Sequence, residues 1–225
     1  KAYYELSGNI DASDTSNWNN GKGFVPLGNG TPYQNAGFDG KNNTISNLYV
    51  NFTNERYNGL FGEVYNAPIK NIRLQNVEVG GSGVDGRSGG LVGEYDAQID
   101  GVLQNIIVDG DISGADHAGG IVGESTDDVQ DGSYGLLRFT GNVSGENAGG
   151  LVGEQVGSTI TIRNSSVVAH EIVGSPFGAG SAHAGGLVGN TGQNVVVIDS
   201  YARVEELSAS GSSSTVHGIV GNEGN

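Results

Sequence analysis

The sequence contains no cysteine and no methionine, only four prolines and one tryptophan, and ten basic residues against twenty-five acidic ones. Without cysteine there is neither a disulfide framework nor a thiolate metal site. No run of 18 apolar residues exists, so no segment can cross a membrane as a helix. The ten cations stand singly along a chain of formal charge −15, which argues against nucleic acid, because neutralising phosphates takes clustered Lys and Arg. No stretch carries a 3.6-residue apolar period with caps, so almost no helix is expected. His-Glu-x-x-His is absent, and no Gly-x-Ser-x-Gly sits in a strand-to-helix context. Lys1 does not begin a signal peptide, as in a mature product or an excised piece.

What the sequence has in excess is glycine, 41 of 225 residues, without a collagen-like three-residue period. Much of it sits in one recurring tetrapeptide. Gly59-Leu60-Phe61-Gly62, Gly90-Leu91-Val92-Gly93, Gly120-Ile121-Val122-Gly123, Gly150-Leu151-Val152-Gly153, Gly186-Leu187-Val188-Gly189 and Gly218-Ile219-Val220-Gly221 begin 31, 30, 30, 36 and 32 residues apart. A period of this size marks a repeat architecture in which each unit buries its apolar face on its neighbours. Before each motif from the second onward lies a β-type segment: Ile69–Leu74, Leu103–Val108, Leu136–Phe139, Ile160–Arg163 and Val195–Ile198. Alternation with period two and β-branched enrichment specify strands. Corner signals follow, at Val79–Gly83, Ile112–Gly114, Val143–Gly145 and Ile172–Gly174.

These features predict an all-β chain folded as a parallel β-helix, one β-solenoid domain over 1–225. Each coil takes about 30 residues, cut into three short strands, and six to seven coils stack at about 4.8 Å. The general preference of parallel crossovers makes it right-handed. Residues 1–35 form the capping segment and 36–225 the coils. Eleven of the sixteen aromatics fall within residues 1–65; Trp18 and Phe24 are read as covering the first rung rather than as a sugar-stacking platform. The extra residues between Gly150 and Gly186 should leave the coil near Ser175–Gly180. Leu60, Leu91, Ile121, Leu151, Leu187 and Ile219 should stack as a core column.

The Gly-Leu-(Val or Phe)-Gly motif, preceded by another glycine at Gly89-Gly90 and Gly149-Gly150, resembles the GLUG repeat. So do the upstream stretches Phe38–Leu48 and Trp18–Gly28. The resemblance covers essentially the whole chain. It implies a secreted or surface-attached bacterial protein, adhesin-like or related to IgA peptidases, and no particular chemistry.

Three constellations could bind or react. Glu63, Glu94, Glu124 and Glu154 follow successive motifs and would stack about 5 Å apart, either as a calcium or ligand ladder or, as the simpler expectation, as outward solvated corners. Asp127, Asp128 and Asp131 form the best hard-cation candidate, with Asp11 and Asp14 weaker. His117 and His183 stand three residues before their motifs, in phase with Arg87 and Asn147, which reads as a variable polar column. No residue pair is singled out as catalytic, and no cofactor is required; calcium is the cation these acids would take. Ranks of threonine for ice binding are missing beyond Thr159 and Thr161.

The expectation is therefore a non-catalytic, structural or adhesive solenoid at a bacterial cell surface, meeting neighbouring domains, a surface glycan or a protein. The first alternative is a subunit stacking end to end into an extracellular filament, since an uncovered last rung is an open sheet edge. The second is a glycan-active β-helix enzyme, which would need paired carboxylates across a groove.

Overall fold

A computed structural model describes the chain except residues 1, 35, 54, 84, 97–101, 127–131, 177, 179 and 220–225. The described chain is a β-solenoid in which three parallel sheets wrap one apolar core. One coil shows the order. Arg87–Gly89 lies in the third sheet, the Gly90-Leu91 corner follows, Val92–Asp96 lies in the second, and Val102–Ser113 lies in the first. Each strand pairs in parallel with its counterpart about 31 residues away, as Val92 does with Phe61 and with Val122. The period read from the glycine motif is thus the length of one coil.

The register makes columns. Leu91, Ile121, Leu151 and Leu187 are fully buried and Leu60 nearly so, while Ile219 at the last described coil is 39% exposed. Ile219 is therefore not the core residue its phase predicts, since no described residue stacks beyond it. Phe61, Val92, Val122, Val152 and Val188 form a second column with no exposed surface. Burying one such side chain contributes about 1.5–3 kcal/mol, and the repetition spreads that gain along the stack.

The predicted strands fall where expected. Ile160–Arg163 and Val195–Ile198 match observed strands end for end, and the others lie inside Ile69–Gly80, Val102–Ser113 and Gly132–Gly145. After Ser166–Gly174 the chain leaves the coil until His183–Gly185, which accommodates the longer repeat. Ala2–Glu5 and Ile10–Asp11 pair with Ala36–Ser46. The single helical stretch among the described residues, Ser13–Gly21, is two short turns joined where Trp18, Asn19 and Asn20 leave helical geometry. Trp18 and Phe24 lie over the first rung with ring centroids 6.5 Å apart, but Trp18 is half exposed. The cap leaves an apolar cavity of about 280 Å³ between Leu6, Phe24 and Leu27 on one side and Phe38, Leu48 and Leu60 on the other.

The strands of the first sheet bend at an in-phase position where the backbone adopts left-handed geometry in each coil. The bending residues are Asn42, Asn71, Asn105, Leu136, Asn164 and Asp199, with φ between 49° and 59°. Asparagine tolerates this region, whereas a leucine there is an outlier. Asn105 Nδ2 donates to Asn71 Oδ1 at 2.9 Å and to Asn42 Oδ1 at 3.0 Å, so the amides ladder along the bend.

Candidate functional site

The most concentrated chemistry lies where the second and third sheets meet across the glycine corner. The third sheet aligns Tyr57, Arg87, His117, Asn147, His183 and Thr215 in one column. Across the corner, the second sheet aligns Glu63, Glu94, Glu124, Glu154 and Asn190. A Cβ on Gly153 would lie 2.7 Å from the Ala118 backbone nitrogen, and one on Gly123 would lie 2.8 Å from that of Ser88. Only glycine permits this approach, and the approach sets the two columns against each other.

The contacts cross coil boundaries. Arg87 donates through Nε to Glu124 of the next coil, and its Nη1 lies 3.2 Å from Glu94 Oε2, within ion-pair reach though misaligned for a hydrogen bond. His117 Nε2 is 3.2 Å from Glu124 Oε2 and 2.8 Å from Glu154 Oε2. Asn190 Nδ2 donates to Glu154 Oε1 at 2.9 Å. Asn147 Nδ2 lies 3.1 Å from His117 Nδ1, and His183 Nδ1 lies 2.8 Å from Thr215 Oγ1. The Arg87 guanidinium also covers the Tyr57 ring at 5.7 Å, and Arg56 sits 5.5 Å from the same ring.

Burial gives this seam its electrostatics. Desolvation opposes the charge on His117, but hydrogen bonds and attraction from Glu124 and Glu154 outweigh it and raise its pKa to about 9. Glu124, only 4% exposed, is penalised by burial yet held below the usual carboxylate range by His117 and Arg87. Glu94 and Glu63 are pushed up, chiefly by burial. Burial pulls His183 down. Asn147 Nδ2 also donates to Glu154 Oε2 at 3.4 Å, which ties the third-sheet column to the same carboxylate that His117 meets.

The four glutamates are thus neither solvated corners nor an open ladder. They are partly or fully buried acids, and Glu94, Glu124 and Glu154 are engaged from the facing column by Arg87 and His117. One donor atom each from His117, Glu124 and Glu154 lie within 4.8 Å of one another, the one such trio among the described residues. An imidazole with two carboxylates suits a borderline transition metal rather than calcium. Binding there would require His117 to lose its proton and Glu124 to share its charge with Arg87. Asp127, Asp128 and Asp131 lie outside the described residues. Asp11 instead accepts from Asn47 Nδ2 and the Ser13 N–H, as a turn-capping acid.

No family model matches the chain. Over 122 residues, 52% of its length, it is 37% identical to halomucin from Haloquadratum walsbyi. That match spans 1% of halomucin. A crystal structure of a provisionally named immunoglobulin A1 protease from Bacteroides ovatus superposes on 99% of the chain and 67% of its own, with a TM-score of 0.71 and 22% identity. At that identity the likeness concerns the fold alone.

The seam was half visible in the sequence. Both of its columns have fixed phase, one three residues before the motif and one directly after it. Their contact was hidden, because the pairing joins Arg87 to Glu124 and His117 to Glu154, each 37 positions apart. The signal was the opposition of charge between two in-phase columns.

Proposed function

We propose that the chain is a stiff, non-catalytic β-solenoid module of a secreted or cell-surface protein. The observation that carries this reading is the seam itself. The residues best equipped for acid–base work, His117, Glu124 and Glu154, are tied to one another, to Arg87 and to Asn190 across successive coils. Groups so engaged hold coils together, and none is poised across an open cleft. The similarity to halomucin supports a surface setting, and so does the resemblance of the glycine motif to the GLUG repeat. Stiffness follows from parallel pairing in all three sheets around one uninterrupted core.

Two core-facing apolar positions of the last described coil, Val216 and Ile219, are 41% and 39% exposed. They can receive a further coil, whether of the same chain or of another copy. Antibody raised against the purified chain tests the surface assignment. Gold labelling of intact source cells, or recovery in the medium, is the expected result; signal confined to the cytosol overturns it.

A further inference from the structure

Five of the ten Lys and Arg residues, dispersed singly in the sequence, gather on one face in the fold. Lys70, Arg73, Arg138, Arg163 and Arg203 all project, exposed, from the first sheet. Register aligns Arg73, Ile107, Arg138, Ser166 and Tyr201 in one outward column. A second column runs Lys70, Gln104, Gly135, Arg163 and Ile198. Between them lies the bend, and a shallow groove runs across the strands between the bend and the first column, with the second column flanking the bend on its other side. Its floor carries the amides of Asn71, Asn105 and Asn164 and the exposed side chain of Leu136. Two hollows, of about 100 and 410 Å³, lie along it, bordered by Arg73 and Ile107 in one and by Arg138, Asn164 and Tyr201 in the other.

Three features mark this face as made for a partner. Among the described residues the guanidinium groups of Arg73, Arg138, Arg163 and Arg203 have neither an ion pair nor a hydrogen bond, whereas Lys70 Nζ is 3.5 Å from Asp39. In a chain of charge −15, guanidinium groups gathered on one face without an acid among the described residues to pair them are not a general solubility device. Leu136 keeps a φ of 57° while 42% exposed, so strain and an uncovered apolar side chain coincide in the groove. Tyr201, 58% exposed, offers a ring face at the end where the wall cations stop. Exposed Asp109 borders the arginine column, and the same sheet is more acidic beyond the Gly110 and Gly141 irregularities, with Glu78 beside Asp111 and Glu171 beside Glu206.

We propose that this groove binds a linear anionic polysaccharide, its carboxylate or sulfate groups on the arginines, its hydroxyls on the floor amides and one sugar ring on Tyr201. Arg73 and Arg138 stand two rungs apart, about 9.6 Å at the spacing of strands, which suits a charge on alternate sugars. Guanidinium pairs planar oxyanions well, amides serve hydroxyls, and a lone aromatic serves a sugar ring better than a run of bases, which needs successive stacking platforms. Asp199, at the bend beside Tyr201, restricts the anion to the arginine-lined length. The inference rests on the surface reading above and names the ligand class that such a module would hold.

The test is calorimetric titration of the purified chain with polygalacturonate, heparin, neutral dextran and single-stranded DNA at physiological salt. Binding of polygalacturonate or heparin, whichever carries the matching anion, is expected, with none to dextran. Each of Arg138→Gln and Arg163→Gln should weaken it roughly tenfold, and Tyr201→Ala should weaken it measurably. Glu206→Gln, on the acidic half, should leave it unchanged. All four positions are exposed, and unchanged circular dichroism excludes misfolding. No binding to either acidic glycan overturns the proposal while leaving the surface labelling result intact. DNA binding of equal strength that ignores Tyr201→Ala also overturns it, in favour of unspecific attraction for polyanions.

Discussion

Replacing His117 with glutamine tests the charged seam most directly. In the fold the imidazole is held between Glu124 and Glu154, and its pKa rises from 6.5 to about 9. A group that binds its proton more tightly when folded stabilises the fold below its unfolded pKa. That contribution is fully present below about pH 6.5 and disappears as pH climbs through about 9. At about 1.36 kcal/mol per pH unit, the displacement corresponds to a loss of about 3 kcal/mol. The exposed His170, raised by its pair with Glu205, also titrates here but is common to wild type and variant, while carboxylates titrate below the window and tyrosines above. Urea unfolding of the wild type at half-unit steps from pH 6 to 9.5 should show that loss. His117→Gln, which leaves Glu154 without its cation, should be less stable by a similar amount at pH 6.5 and nearly flat above it. A wild-type profile parallel to that of the variant, or an NMR titration of His117 with a midpoint at or below 6.5, would refute the argument.

Leu136→Asn should stabilise the protein by about 1–2 kcal/mol. It relieves a left-handed leucine, loses little burial and extends the amide ladder between Asn105 and Asn164; a lowered melting temperature would contradict this. Gly120→Ala should destabilise severely, by several kcal/mol, because the new methyl would collide with the Gly150 carbonyl and the Phe139 ring. Thermal unfolding monitored by circular dichroism measures it, and near-wild-type stability would mean that the corner is not as tight as described. Tyr134→Phe should cost about 1 kcal/mol by removing the 2.7 Å hydrogen bond between Tyr134 Oη and the buried Ser125 hydroxyl. An unchanged denaturation midpoint would show that this bond contributes nothing.

Much of the fold could be read before the structure, since a stacked repeat writes its geometry into its period. The spacing of Gly90 and Gly120 is the coil length, and the alternation in Ile160–Arg163 marks a strand end for end. What could not be read arises between coils. Glu124 looked like a solvated corner acid because its cation comes from Arg87, one coil earlier and on another sheet. Arg73, Arg138 and Arg163 looked isolated because 65 and 25 residues part them in sequence, distances that shrink to rungs of one sheet. Leu136 sat inside a good strand pattern, and nothing in that pattern announces a left-handed residue. Its in-phase neighbours Asn71, Asn105 and Asn164 were the available clue.

The coil-by-coil stacking has a mechanical consequence. Strands lie across the long axis, so tension applied between the two ends loads the ladders of successive coils one after another rather than together. A coil that yields releases roughly 100 Å of chain, at 3.3–3.6 Å for each of about 30 residues, and its neighbours stay folded behind their own seam contacts. Such a rod would lengthen in steps under drag and shorten again by re-stacking each lost coil on the template left standing.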